Sequence, residues 1–267
     1  MAEPLVIRTD DGPIAFLTLN TPVNLNALST AMLTALDAAL DGIGDEVRVM
    51  ILRGGSRAFS AGHDLREIQG YRTDPDGGEA RFRALFDLCA SVMQKLVALP
   101  QPVIAEVRGV AAAAGCQLAA SCDLVVAAET ARFGVNGINI GLFCSTPMVA
   151  LTRKIAPSAA LEYLLTGEMI PAPRAQNLGL VTRMVPEADL EAATLTLARQ
   201  IAAKLPVAVR HGKQAFRAAS GLPLADAYRV TSAVMCANIQ EPETAEGIQA
   251  FLDKRKPDWA WRKSRSI

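Results

Sequence analysis

Residues 102–124 read PVIAEVRGVAAAAGCQLAASCDL. The first eight, PVIAEVRG (102–109), form an apolar run closed by glycine, the pattern of a buried strand. Residues 115–121 fit a short helix, and DLVVAA (123–128) fits a second strand. Between strand and helix lie Ala111, Ala112, Ala113 and Ala114. Side chains this small let a ligand approach the backbone closely. The first N–H groups of a helix have no partner inside it, and the helix dipole favours negative charge there. Such N–H groups can stabilise an oxygen that becomes negative. The same run also suits tight packing of a helix on a sheet, so the stretch alone leaves both readings open.

The pattern extends outward in both directions. PLVIRTDDGPIAFLTL (4–19) predicts a β-hairpin turning at Asp-Asp-Gly-Pro. Leu28, Met32, Leu33, Leu36 and Leu40 predict a helix over 27–42, and VRVMILRG (47–54) a buried strand. The polar, Gly- and Asp-rich stretch 55–79 reads as a long loop suited to function, followed by a helix over 80–98. Helices are expected at 146–155 and 158–165, a strand at 179–184, and a long helix from Glu187 to about Lys204. Residues 206–252 read as helices broken at Gly221-Leu222-Pro223 and at Glu241-Pro242. Strands and helices alternate through the first two thirds, and the last third is helical. The fold class is α/β, with a core over 1–204 and a helical region over 205–267.

Composition narrows the function. The 267 residues are 51% hydrophobic and 20% charged, ample for a buried core. Twenty-seven basic and 27 acidic residues cancel, so no global field attracts nucleic acid or an anionic membrane. No apolar run approaches the roughly 18 residues of a membrane helix. The opening MAEPLVIRTDDG lacks the basic-then-apolar order of a secretory signal. Five scattered cysteines form no CxxC pair, and His63 and His211 are the only histidines. Neither a disulfide framework nor a metal site is expected. The expected compartment is the reducing cytoplasm, or an organelle matrix in a eukaryote. There is no Walker motif and no GxGxxG fingerprint.

A second stretch of small residues, Phe59-Ser60-Ala61-Gly62-His63-Asp64-Leu65, also follows a predicted buried strand. The two stretches together suggest a backbone oxyanion site with one donor from each. With both in view, the chain resembles the crotonase superfamily, also called the enoyl-CoA hydratase/isomerase family. The matching segments, in order, are NTPVNLNAL (20–28), AFSAGHDL (58–65), PVIAEVRGVAAAAGCQLAASCDL (102–124), ARFGVNGINIGL (131–142), LTGEMIPAPRAQNLGLV (165–181) and FLDKRKPDW (251–259). They span nearly the whole chain, and their order makes the resemblance specific.

The resemblance implies a crotonase-like spiral of ββα units, with the 205–267 region serving trimerisation. It implies a homo-trimer or a dimer of trimers, no nucleic-acid or membrane partner, no metal and no bound cofactor. Coenzyme A enters as part of an acyl-CoA substrate. The thioester oxygen would lie between the N–H groups of His63 and Ala114, with Gly62, Asp64, Val110 and Ala113 beside them. Leu25, Ala27, Ala61 and Leu65 would line the adenine pocket. Arg66 is a candidate partner for the phosphates. Asn24 stands where the family carries a lysine. Lys254, with Arg255 and Lys256, either reaches the nucleotide end of coenzyme A or is a solvated charged end. Leu142, Phe143 and Cys144 would border the acyl group. Cys144 is either a nucleophile activated at a helix start or a small pocket residue, and no partner base is visible in the sequence.

The chain departs from the family at two positions. A family hydratase normally uses two glutamates to activate water and move protons. Gln117 stands where the first belongs and Gly137 where the second belongs. Glutamine accepts no proton at neutral pH, and glycine offers only space. General acid–base help is worth about 10²–10⁴ in rate, so hydration should be weak. The His63 imidazole could be a base or a coenzyme A contact, or could leave all the work to its backbone. Histidine in this slot also resembles members that decarboxylate malonyl-type thioesters. The missing glutamates further resemble those of the enoyl-CoA hydratase domain-containing protein 3-like members. Asp64 reads as a backbone cap, Asp123 as structural, and Cys116 and Cys122 as core. The implied function is acyl-CoA thioester processing through an enolate, nominally as an enoyl-CoA hydratase. The alternatives are a malonyl-type acyl-CoA decarboxylase and a catalytically silent binder of coenzyme A thioesters.

Overall fold

A computed structural model describes residues 3–55 and 57–259. The chain opens with β1 (Val6–Asp11) and β2 (Ile14–Leu19), an antiparallel hairpin turning at Gly12. Helix α1 (Thr30–Asp41) follows, its N-terminus capped by the Ser29 hydroxyl, which accepts the Met32 N–H. Met32, Leu33, Leu36 and Leu40 form its buried face. Next come β3 (Val49–Gly54), α2 (Leu65–Tyr71), α3 (Glu79–Ala98), β4 (Val103–Val107), β5 (Val110–Ala112) and α4 (Ala114–Ser121). Then follow β6 (Leu124–Ala128), β7 (Arg132–Gly134), α5 (Ser145–Leu151), α6 (Pro157–Thr166), β8 (Met169–Pro171), α7 (Ala172–Leu178) and β9 (Arg183–Val185). Helices α8 (Leu190–Ala202), α9 (Pro206–Ala219), α10 (Leu224–Ile239) and α11 (Pro242–Leu252) end the described chain. Residues 260–267 of the helical region expected over 205–267 lie outside the described residues.

Two sheets organise these elements. The larger has the order β1-β2-β3-β4-β6-β9, and every pair after the first hairpin is parallel. The smaller has the order β5-β7-β8, extended by a parallel bridge between Ser60 and Ala111. A strand of the large sheet is followed by a short strand of the small sheet and then a helix, as in β4–β5–α4. Repetition of this unit carries the chain forward as a spiral of ββα turns. The central strands read as unbroken apolar runs because both faces are covered; every residue of β4 is buried.

Two expectations change. The stretch 55–79 is not all loop: α2 forms within it because the Asp64 carboxylate accepts the N–H groups of Arg66 and Glu67. The strand expected over 179–184 is reduced to β9, since α7 runs to Leu178 and Gly179, in the left-handed region, ends it. Asp123 is structural. It accepts the Val103 N–H at 2.7 Å and holds Lys213 and Arg217 of α9 against the sheet.

Candidate active site

The two small-residue stretches meet at one wall of a cavity of about 790 Å³. Ser60, fully buried, joins them. Its N–H donates to the Val110 carbonyl at 3.1 Å, and its carbonyl accepts the Ala112 N–H at 2.9 Å. Its hydroxyl donates to the Asn26 carbonyl at 2.8 Å and accepts the Gly62 N–H at 3.2 Å. Asn26 is itself buried in the left-handed region. Its amide donates to the Ala58 carbonyl at 2.9 Å and accepts the Thr21 N–H at the same distance. The loop carrying His63 is therefore pinned from three directions.

Peptide planes then aim the donors. The Gly62 carbonyl accepts the Leu28 N–H at 2.7 Å. A trans peptide points its N–H opposite to its C=O, so the His63 N–H faces away from Leu28. On the second stretch, the Ala113 N–H donates to the Gly134 carbonyl at 2.7 Å, and the Ala113 carbonyl accepts the Gln117 N–H at 3.0 Å. The Ala114 N–H is left at the first turn of α4, directed outward. Among the described residues, no backbone acceptor takes either N–H. A methyl group on Gly62 would lie 3.2 Å from the Ala114 nitrogen, so the two stretches touch. Gly62 has φ +92°, which a side chain rarely adopts. Ala113 sits at φ 49° and ψ −118°, a strained conformation for a residue with a Cβ.

His63 borders the same cavity. Its Nδ1 lies 3.0 Å from the Leu28 carbonyl oxygen, and its Nε2 is buried with no partner. The ring meets Phe86 edge-on, with centroids 5.5 Å apart and planes at 84°. Burial pushes its pKa below the usual 6.5, more than the Leu28 hydrogen bond and the Glu67 charge restore.

On another side of the cavity Cys144 Sγ accepts the Gly137 N–H at 3.3 Å. Burial raises the pKa of this thiol, outweighing that hydrogen bond, so it stays protonated and is not an activated nucleophile. A Cβ on Gly137 would meet the Leu142 carbonyl oxygen and lie 2.9 Å from Cys144 Sγ. Position 137 has no room for a glutamate.

Asn24, Leu25, Ala27, Ala61, Asp64, Leu65 and Arg66 line the cavity, as do Ala113, Ala114, Gly137, Leu142, Phe143 and Cys144 further along the chain. Four anticipated residues do not border it. Gly62 and Val110 act behind the wall through their backbones. Lys254 lies past the end of α11, where its N–H donates to the Phe251 carbonyl. Gln117 is 5% exposed and its Oε1 has no partner, yet it is not part of the lining. Phe86 and Ile68 line the cavity and were not anticipated. Nothing in their helical spacing separates them from ordinary core positions. Cys116 and Cys122 are buried, and burial raises both thiols to about 12. Among the described residues, no cluster of side chains suited to a metal ion occurs, and no helix is long and apolar enough to cross a membrane.

Comparison with known proteins matches residues 9–262 to the family described as enoyl-CoA hydratase/isomerase. The human protein named enoyl-CoA hydratase domain-containing protein 3, mitochondrial, is 42% identical over 260 residues, covering 97% of this chain and 84% of its own. Its crystal structure superposes with a TM-score of 0.90 at 40% identity, over 96% of this chain and 100% of that one. An enoyl-CoA hydratase structure from Mycobacterium smegmatis gives a TM-score of 0.92 at 44% identity, over 96% and 99%. The chain therefore belongs to the enoyl-CoA hydratase/isomerase family, with the mixed α/β crotonase fold that its sequence resembles.

Proposed function

We propose that this enzyme processes acyl-CoA thioesters by stabilising an enolate, or a closely related oxyanion, between the N–H groups of His63 and Ala114. One observation carries this reading: two unpartnered N–H groups at the wall of one cavity, aimed by the bonds that the Leu28 and Gln117 N–H groups make to the carbonyls of the same peptides. Donors already in position need no rearrangement as charge develops, so they favour the oxyanion over the ground-state carbonyl. Leu25, Ala27, Ala61 and Leu65 offer the adenine an apolar rim, and Arg66 offers the phosphates a charge. Phe216, Leu224, Tyr228, Met235 and Phe251 leave α9–α11 with exposed apolar surface, which favours a trimer or a dimer of trimers. Lys254 would then serve a neighbouring subunit. The compartment is a reducing one, in keeping with five free cysteines and with relatives named as mitochondrial.

Water addition is the weak activity. Gln117 and Gly137 supply no carboxylate, and a catalytic acid or base is worth about 10²–10⁴ in rate. Crotonyl-CoA hydration should fall at least about 100-fold below that of a two-glutamate relative. Isotope-edited infrared spectroscopy of a thioester labelled at its carbonyl carbon tests the donors directly. The carbonyl stretch moves to lower frequency on binding; tight binding with an unshifted stretch removes the oxyanion reading. Hydration at a two-glutamate rate removes the reading of Gln117 and Gly137.

Decarboxylation of a malonyl-type thioester is the second reading. Among the described residues Asp64 is the only acidic side chain in the lining, and it is engaged in capping α2. A substrate carboxylate would therefore meet no free like charge. Its C–C bond breaks, the electron pair enters the enolate and CO₂ leaves, with no base needed at the start. Release of CO₂ from methylmalonyl-CoA or ethylmalonyl-CoA tests it. Binding across a thioester panel with no turnover would instead make the chain a silent binder.

A further inference from the structure

We propose that Asn136, assisted by Thr146 across the Gly137–Cys144 contact, makes the cavity selective for an acyl chain that carries a hydroxyl group over one that is plain hydrocarbon. The inference rests on the acyl-CoA reading above and names the kind of acyl group that site takes. Both residues border the cavity. Three other neutral polar side chains on its wall are already engaged. Asn24 accepts the Ala27 N–H, Asn139 donates to the Gly167 carbonyl, and Ser145 donates to the Phe143 carbonyl. Asn136 and Thr146 are half-buried, and among the described residues neither side chain has a hydrogen-bond partner. Their polar atoms are nevertheless not sealed off: the Asn136 amide and the Thr146 hydroxyl keep accessible surface.

Backbone bonds place the two residues near the oxyanion donors. The Gly134 carbonyl accepts the Ala113 N–H at 2.7 Å, and Asn136 follows two residues later. Two residues span at most about 7 Å, so Asn136 stays close to the Ala113–Ala114 turn. The Gly137 N–H then donates to Cys144 Sγ at 3.3 Å, and the Leu142 N–H to the Gly137 carbonyl at 3.0 Å. These bonds fold the segment carrying Thr146 against the one carrying Asn136. Ile140, Leu142, Phe143 and Pro147 make the rest of this part of the lining apolar.

The chemistry of the two groups selects the ligand. A carboxamide both donates and accepts, and so does a hydroxyl. Both are uncharged, so they match a neutral hydroxyl and offer no counter-charge to a carboxylate. A bound acyl chain excludes water from this wall. A hydrocarbon chain would then leave the Asn136 amide unpaired, a cost that a hydroxyl on the chain removes. Sites that hydrogen-bond a substrate hydroxyl reject the analogue without it for this reason. Asn136 is thus a specificity-determining residue and takes no part in proton transfer.

Two pairs of thioesters, each differing only by a hydroxyl in place of a methyl group, are the probes. They are 3-hydroxybutyryl-CoA against 3-methylbutyryl-CoA, and 4-hydroxybutyryl-CoA against pentanoyl-CoA, with Kd read by titration calorimetry. The native protein should bind the hydroxyl member of at least one pair about tenfold more tightly. Asn136→Leu, which keeps the size of the side chain, should bring that preference below about threefold, while the Kd of the hydrocarbon member stays within about threefold of native or improves. If that variant does not fold, Asn136→Ala is measured in the same way, with the same expectation. A preference that survives the substitution overturns the proposal. So does a loss of both members in step, which would make Asn136 a packing residue. A native protein that binds these thioesters with less than about threefold preference in both pairs overturns the proposal but leaves the acyl-CoA reading standing. A native protein that binds none of the four overturns both.

Discussion

The two backbone donors sit side by side but are held by opposite means. The His63 donor lies in a loop fixed from outside. Asn26 and Leu28 bond to it from elsewhere in the chain, the Ser60 hydroxyl links the Asn26 carbonyl to the Gly62 N–H, and the strain it contains is confined to Gly62. The Ala114 donor is fixed from within. A strained Ala113 turns the chain, the Gln117 N–H holds the Ala113 carbonyl and with it the Ala113–Ala114 peptide, and a fully buried helix follows at once. One donor therefore depends on remote hydrogen bonds and the other on local backbone shape. Substitutions should separate the two.

The largest effect is expected where the two modes touch. A methyl group on Gly115 would run into the Ser60 carbonyl and Cβ. Backbone has to move, so Gly115→Ala should cost roughly 3 kcal/mol in denaturant unfolding and abolish acyl-CoA binding. A variant of native stability would mean that the two stretches are less tightly joined than described.

Ser60→Ala breaks only the remote mode. It removes the hydroxyl between Asn26 and Gly62 and leaves Gly62 N–H unpartnered, at about 1–3 kcal/mol. Turnover should fall more than affinity, since a loosened His63 N–H loses aim at the oxyanion before it loses the substrate. Equal loss in both would assign Ser60 to packing alone.

Ala113→Gly probes the local mode and should have the smallest effect. Glycine adopts φ 49° and ψ −118° without a Cβ clash, which outweighs its greater freedom in the unfolded chain. Stability should rise by about 0.5–1 kcal/mol with turnover nearly unchanged, read from thermal unfolding and steady-state rates. A drop in stability would show that the Ala113 methyl group, and not the turn, is what matters.

The same contrast governs what could be read from the sequence. The hairpin, α1, β3, β4 and α4 announce themselves through apolar runs and spacing, because each buries a regular face. Strands β5, β7 and β8 are three residues each, too short for a period, and exist only through pairing with distant partners. Helix α2 is only seven residues long, buries only Tyr71 and depends on the Asp64 cap. At the site, small residues marked both donor stretches. The lack of room at Gly137 was not legible, since it comes from Leu142 and Cys144 folding back. Nor was the placement of Phe86 against His63, which needs α3 to cross the loop after β3. Gln117 reads as an absence in sequence; in the fold it is a buried amide whose oxygen has no partner.

A crystal structure with a non-hydrolysable acyl-CoA bound tests the central claim most directly. The oxygen standing in for the thioester carbonyl should lie about 2.7–3.1 Å from both the His63 and the Ala114 nitrogens. An oxygen that contacts neither nitrogen, with the acyl-CoA well ordered, would contradict the account.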